Sequence, residues 1–123
     1  SLINLTETIQ YADVVINYVS TMIIEASIFG KPVISINFPP DRAIANEYEF
    51  NKALIDTGCP TLVGDTKMLG STINDLLAHP DKKKAECARV VRDYVTFTDG
   101  KSWERTFVFI NEILNNTSTK NIQ

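Results

Sequence analysis

Ser20, Thr21 and Glu25 have the types and spacing to hold a phosphorylated sugar. Glu25 follows Thr21 by one helical turn, ~5.4 Å along the axis, so a helix would place both on one face. Free backbone N–H groups and the positive end of a helix attract anions at its start. A phosphate would dock on Ser20 and Thr21, and hydroxyls of the same ligand would reach Glu25. A nucleoside diphosphate has this layout, with ribose hydroxyls beside its phosphates. Spacing alone leaves a plainer alternative open: Ser20 only caps the helix, and Glu25 is a solvated acid on its exposed stripe.

These residues lie within ADVVINYVSTMIIEASIFGKPVISINF, Ala12 to Phe38, a run that is almost wholly apolar. A buried carboxylate without a partner is strongly disfavoured, so Glu25 must meet a partner or solvent. DVVINY reads as a buried strand. Ser20 is an N-cap for a helix over Thr21 to Phe29, which Gly30 stops, with Pro32 just beyond. PVISINF is a second buried strand, ended by Pro39 and Pro40. Strand, helix and strand in so short a run make a βαβ crossover with parallel strands. Ligands of such sheets collect at the C-terminal strand ends, where Asn17 to Thr21 lie.

Around this unit the pattern predicts a helix over Leu5 to Tyr11, a polar loop over Asp41 to Asn51, and a helical turn over Lys52 to Asp56 broken by Gly58 and Pro60. TLV, Thr61 to Val63, is a short third strand. Three helical patterns follow. Thr66 to Ala78 has Asp65 as its cap and Leu69, Ile73, Leu76 and Leu77 on its apolar face. The next has Pro80 in its first turn, runs to Tyr94, and carries Ala85, Ala88, Val91 and Val95 on one face. The last, Ser102 to Asn115, carries Trp103, Phe107, Ile110 and Leu114 as a core-facing stripe, followed by a polar tail. The expected class is α/β: a partial Rossmann-like parallel sheet with helices on both faces, forming one domain over residues 1–123. Three strands fall short of the usual ~5–6 in a sheet. Together with a start at Ser1 rather than Met, this suggests a piece of a larger chain.

Composition sets the outer bounds. In 123 residues, 44% hydrophobic and 22% charged, the balance is that of a small globular domain. A net charge of −3 argues against a broad nucleic-acid surface, although a local phosphate site needs no net charge. Cys59 and Cys87 form neither a metal pattern nor a disulfide framework, and are read as reduced thiols of a cytoplasmic chain. No signal peptide is visible, and the apolar runs are shorter than a membrane span of ~20 residues.

The segment from Asp13 through Ser20–Thr21, Glu25 and GKPVI (Gly30 to Ile34) resembles the C-terminal nucleotide-binding domain of GT-B glycosyltransferases. It is most similar to the polysaccharide and CDP-glycerol-type transferases and to the related UDP-N-acetylglucosamine 2-epimerases. The strand at Thr61, the LLAHP stretch and DGKSWERT (Asp99 to Thr106) continue the resemblance along the chain. The resemblance implies that Ser20 and Thr21 hold the donor diphosphate and that Glu25 hydrogen-bonds the ribose. Several retaining members place an acid at the position of Asn17; here Asn17 would offer a sugar hydroxyl an uncharged partner. The implied protein is the donor-binding part of a glycosyl- or glycerophosphotransferase of polysaccharide or cell-surface glycan synthesis. The opposing N-terminal half would supply the general base, so this chain alone would be inactive. No metal or cofactor is expected beyond the nucleotide-activated donor, and membrane association would be peripheral and through the full-length protein. A sugar-nucleotide 2-epimerase and a non-catalytic α/β interaction module are the alternatives.

Other residues carry weaker chemistry. The loop after the second strand offers Arg42 to a phosphate and Tyr48 to a base, although Arg42 can equally pair with Asp41 or Glu47. Gly100-Lys-Ser ends like a phosphate loop, but the first glycine of that motif would fall on Val95. Arg105 is either a contact to a neighbouring domain or ligand, or a solvated helix-start arginine. His79 suits a helix C-terminus, and Lys82 to Lys84 read as a solvated charge run. Asn4-Leu-Thr and Asn115-Asn-Thr match the glycosylation pattern by chance.

Overall fold

The computed structural model describes residues 4–38 and 48–118. Asn4 opens helix α1 (Leu5–Tyr11), its Oδ1 accepting the Glu7 N–H at 2.8 Å. Strand β1 (Val15–Asn17), helix α2 (Met22–Ile28) and strand β2 (Val33–Ile36) then form the crossover expected from the sequence. Gly30, at φ 64°, turns the chain out of α2. Its N–H donates to the Ser27 carbonyl at 3.0 Å, and the Lys31 N–H donates to the Ala26 carbonyl at 2.9 Å. That pair of bonds is a Schellman ending, which favours glycine at this left-handed position. Helix α3 (Glu49–Asp56), strand β3 (Thr61–Val63) and helices α4 (Thr66–Ala78), α5 (Lys84–Tyr94) and α6 (Ser102–Ser118) complete the described elements. Asp65 caps α4, accepting the Lys67 N–H at 2.9 Å.

The strands form a parallel sheet in the order β1-β2-β3. Ile16 aligns with Ile34 and Thr61, and Asn17 with Ser35 and Leu62. Alternation sends Val15, Asn17, Val33 and Ser35 to one face and Ile16, Ile34, Ile36 and Val63 to the other. Helices cover both faces. Ile9, Ile23, Ala26, Leu54, Cys87 and Val90 pack with Val15 and Val33 on the first. Leu76 of α4, backed by Leu69 and Ile73, packs on Ile34 and Val63 on the second. Because α4 follows β3 at one edge, it leaves the second face thin over β1, where Ile16 is 45% exposed.

Several expectations are corrected. Cys59 and Cys87 are bonded to each other, not reduced, with their Cα atoms 4.5 Å apart. Sequence spacing carried no sign of this, because packing of α5 against α2 is what brings Cys87 to the start of β3. The Ser27 hydroxyl donates to the Ile23 carbonyl at 2.7 Å and lies 3.4 Å from the Cys59 sulfur, so α2 touches the bridge as well. In α5 the buried face is Cys87 and Val90, while Ala85 and Ala88 are exposed. That helix begins at Lys84, and Pro80 lies in the turn before it. Leu77 of α4 is likewise exposed. The α6 stripe is not in the core: Trp103 is 68% exposed, Phe107 63% and Leu114 58%. An amphipathic pattern identifies an apolar face but does not supply the surface to cover it.

The bridge closes a loop of 28 residues, for which chain entropy predicts roughly 3–4 kcal/mol of stabilisation. Urea denaturation should therefore show a large fall in stability on adding reductant. Equal midpoints with and without reductant would mean that the bond contributes nothing to the folded chain.

Candidate functional site

The loop from β1 into α2 starts from a buried asparagine. Asn17 is 2% exposed, and its Nδ2 donates to the Tyr18 carbonyl at 3.4 Å. Its Oδ1 is buried without a hydrogen-bond partner among the described residues, as is the hydroxyl oxygen of Ser35 beside it in register. Both lie on the sheet face that α2 covers. Asn37 and Asn51 are buried too. Ser35 and Asn37 were missed by the sequence reading, although the alternation in VISIN, Val33 to Asn37, was the available signal.

Ser20 and Thr21 play different parts at the start of α2. The Ser20 Oγ accepts the Met22 N–H at 3.1 Å, and the Thr21 carbonyl accepts the Ile24 N–H at 2.8 Å. Thr21, not Ser20, holds the capping position of α2, and Ser20 acts from one residue before it, so the protein itself satisfies part of the amide cluster read as an anion site. As an acceptor, Ser20 keeps its O–H for donation, which is what a phosphate oxygen needs. Thr21 stands at the helix boundary, exposed, with no side-chain capping bond.

Glu25 falls on the same stripe of α2 as Thr21. With 100° per residue, that stripe lies opposite Ile23, Ala26 and Ser27, the buried side. Residues four apart on a helix are neighbours on its surface, so Glu25 follows Thr21 by one turn on that stripe. Glu25 is nevertheless not a freely solvated acid. The residue is half-buried, and its Oε2 is buried with no hydrogen-bond partner among the described residues. A carboxylate oxygen without a donor is costly in the folded chain.

The structure therefore brings Thr21 and Glu25 together on one outward stripe, with Ser20 at its end. Asn17 does not join them, being enclosed beneath α2. Tyr48 caps α3, is exposed, and stacks at a tilt on Phe50 with ring centroids 5.9 Å apart. Arg42 lies outside the described residues. Arg105 is engaged locally, paired with Asp99 and lying 3.8 Å over the Phe97 ring. The Arg105 guanidinium, with help from the Lys101 N–H, holds the Asp99 carboxyl below its usual range. His79 ends α4, with its Nδ1 3.2 Å from the Asp75 carbonyl and 3.4 Å from the Asp75 carboxylate. Among the described residues, no group of three or more His, Cys, Asp or Glu side chains is placed to hold a metal ion. No helix among them is long and apolar enough to cross a membrane.

Two stability measurements read this geometry directly. Ser20→Ala should cost ~1 kcal/mol through the lost bond from the Met22 N–H, and Thr21→Ala should stay within ~0.5 kcal/mol. Equal losses in the two variants would contradict the division of labour. Glu25→Met should raise stability by ~1–2 kcal/mol, because it removes a buried acceptor that lacks a donor. A destabilised Glu25→Met chain would mean that the carboxylate serves the fold. Comparison with known proteins finds no matching family model, no matching curated protein and no matching solved structure.

Proposed function

We propose that this chain is the donor-nucleotide-binding part of a GT-B-type glycosyl- or glycerophosphotransferase acting in polysaccharide or cell-surface glycan synthesis. The observation that carries the reading is the buried Oε2 of Glu25, which has no hydrogen-bond partner among the described residues, one turn after Thr21, whose hydroxyl makes no capping bond. In this reading the donor diphosphate lies over the first turn of α2, accepting hydrogen bonds from the Thr21 and Ser20 hydroxyls. The ribose lies along the outward stripe, where its hydroxyls donate to Glu25. Asn17 positions the β1–α2 loop and does not touch the donor. Tyr48 and Arg42 remain the candidates for base and phosphate contacts from the loop after β2.

The reading requires a second half. The chain has no assigned general base, and it would bind donor without turning it over. The N-terminal half of the full enzyme would bring the acceptor and close over α2. The open edge of β1 and the uncovered Ile16 are suited to further strands, and the apolar stripe of α6 is suited to contact with the opposing half. Location at the cytoplasmic side, peripheral to a membrane at most, now rests on the nucleotide donor alone. The Cys59–Cys87 bridge removes the redox argument for it.

Titration of UDP, CDP and GDP into the chain, followed by backbone amide shifts, tests the proposal. Shifts should centre on Ser20 to Glu25 for at least one nucleotide, and both Thr21→Ala and Glu25→Met should abolish them. The absence of shifts at millimolar nucleotide, or shifts that survive both substitutions, would refute it. The epimerase alternative predicts the same binding and differs only in the product formed by the full-length enzyme.

A further inference from the structure

At the opposite end of the sheet, where the chain enters β2, a cavity of about 310 Å³ opens between the end of α2 and the first turn of α5. Ile28, Pro32, Ala88 and Val91 form its apolar walls, and Cys87 of the buried bridge contributes to its lining. Lys31, Lys83 and Lys84 stand around it. Lys84 is paired with Asp81 at 3.1 Å, whereas Lys31 and Lys83 have no carboxylate partner among the described residues. Both are half-buried, which fits aliphatic stems lying along the walls with ammonium groups at the rim. The first turn of α5 adds its positive end.

We infer that this cavity binds one single-chain anionic amphiphile, an alkyl chain ending in a carboxylate, with the chain between α2 and α5 and the head group between Lys31 and Lys83. Charge complementarity selects the sign: two cations without a carboxylate partner among the described residues adjoin an apolar slot in a chain whose net charge is −3. Size selects a single chain, because the volume stands at the lower bound of ligand pockets, ~300–1,000 Å³. Concavity selects an inserted molecule over a bilayer surface. The site is independent of the nucleotide reading: it lies at the N-terminal strand ends, and its walls share no residue with Ser20, Thr21 or Glu25.

The test uses decanoate, below its micelle concentration, titrated into the 123-residue chain and followed by amide shifts. Decyltrimethylammonium of the same chain length is the charge control, and vesicles containing an anionic phospholipid are the bilayer control. Decanoate should shift Ile28, Ala88 and Val91, and Lys31→Gln with Lys83→Gln should weaken binding roughly tenfold. Ala88→Trp should fill the slot and abolish binding with a native-like spectrum. Ala88→Leu, a milder filling at the same exposed position, serves if the larger residue disturbs the fold. Equal binding of the cationic amphiphile overturns the inference. So does binding that survives the filled cavity, shifts confined to the exposed face of α6, or a response to vesicles without one to decanoate.

Discussion

The packing of one short helix against two parallel strands organises this molecule. Ile23 and Ala26 of α2 are fully buried against Val15 and Val33. Each large side chain in that contact is worth about 1.5–3 kcal/mol of burial. A helix of seven residues has little stability of its own, so this contact fixes both its position and its rotation. Once Ile23, Ala26 and Ser27 face inward, the period of the helix leaves Thr21 and Glu25 no choice but the outer stripe. The candidate site is thus a consequence of core packing.

The same contact explains the rest of the core. The inward-facing Ser27 meets Cys59 at the start of β3, and α5 lies against α2 with Cys87 and Val90 buried. The covalent bridge therefore joins elements that apolar packing also holds together. The Schellman ending at Gly30 then returns the chain to the sheet through Pro32 and frames the cavity beside α5. The two ends of α2 consequently present different chemistry. Hydroxyls and an acid stand at its start, and an apolar slot ringed by lysines stands at its end.

Among the described residues, buried polar atoms without partners lie near the carboxyl ends of β1 and β2 and on α2. Asn17 and Ser35 sit side by side on β1 and β2, and Glu25 lies on the helix above that face. Orphaned buried acceptors lower stability, and proteins retain them mainly where they do something else. Helix α6 is the other departure from an ordinary folded surface, since its aromatic residues lie open to solvent while Arg105 and Asp99 fix only its first turn.

Much of the architecture was legible in the residues alone. The strand–helix–strand unit follows from branched apolar runs separated by Ser20 and Gly30, and α4 from its Asp65 cap, because these signals act within a few residues along the chain. Glu25 stood out for the same reason, as an acid within an apolar run. The Cys59–Cys87 bond, the burial of Ser35 and Asn51, the choice of Cys87 and Val90 as the inner face of α5, and the exposure of the α6 stripe required the tertiary structure. Each depends on which surfaces meet across long stretches of chain, and periodicity marks an apolar face without naming what lies against it. Local chemistry determined the elements; only packing decided which of their faces became core and which became site.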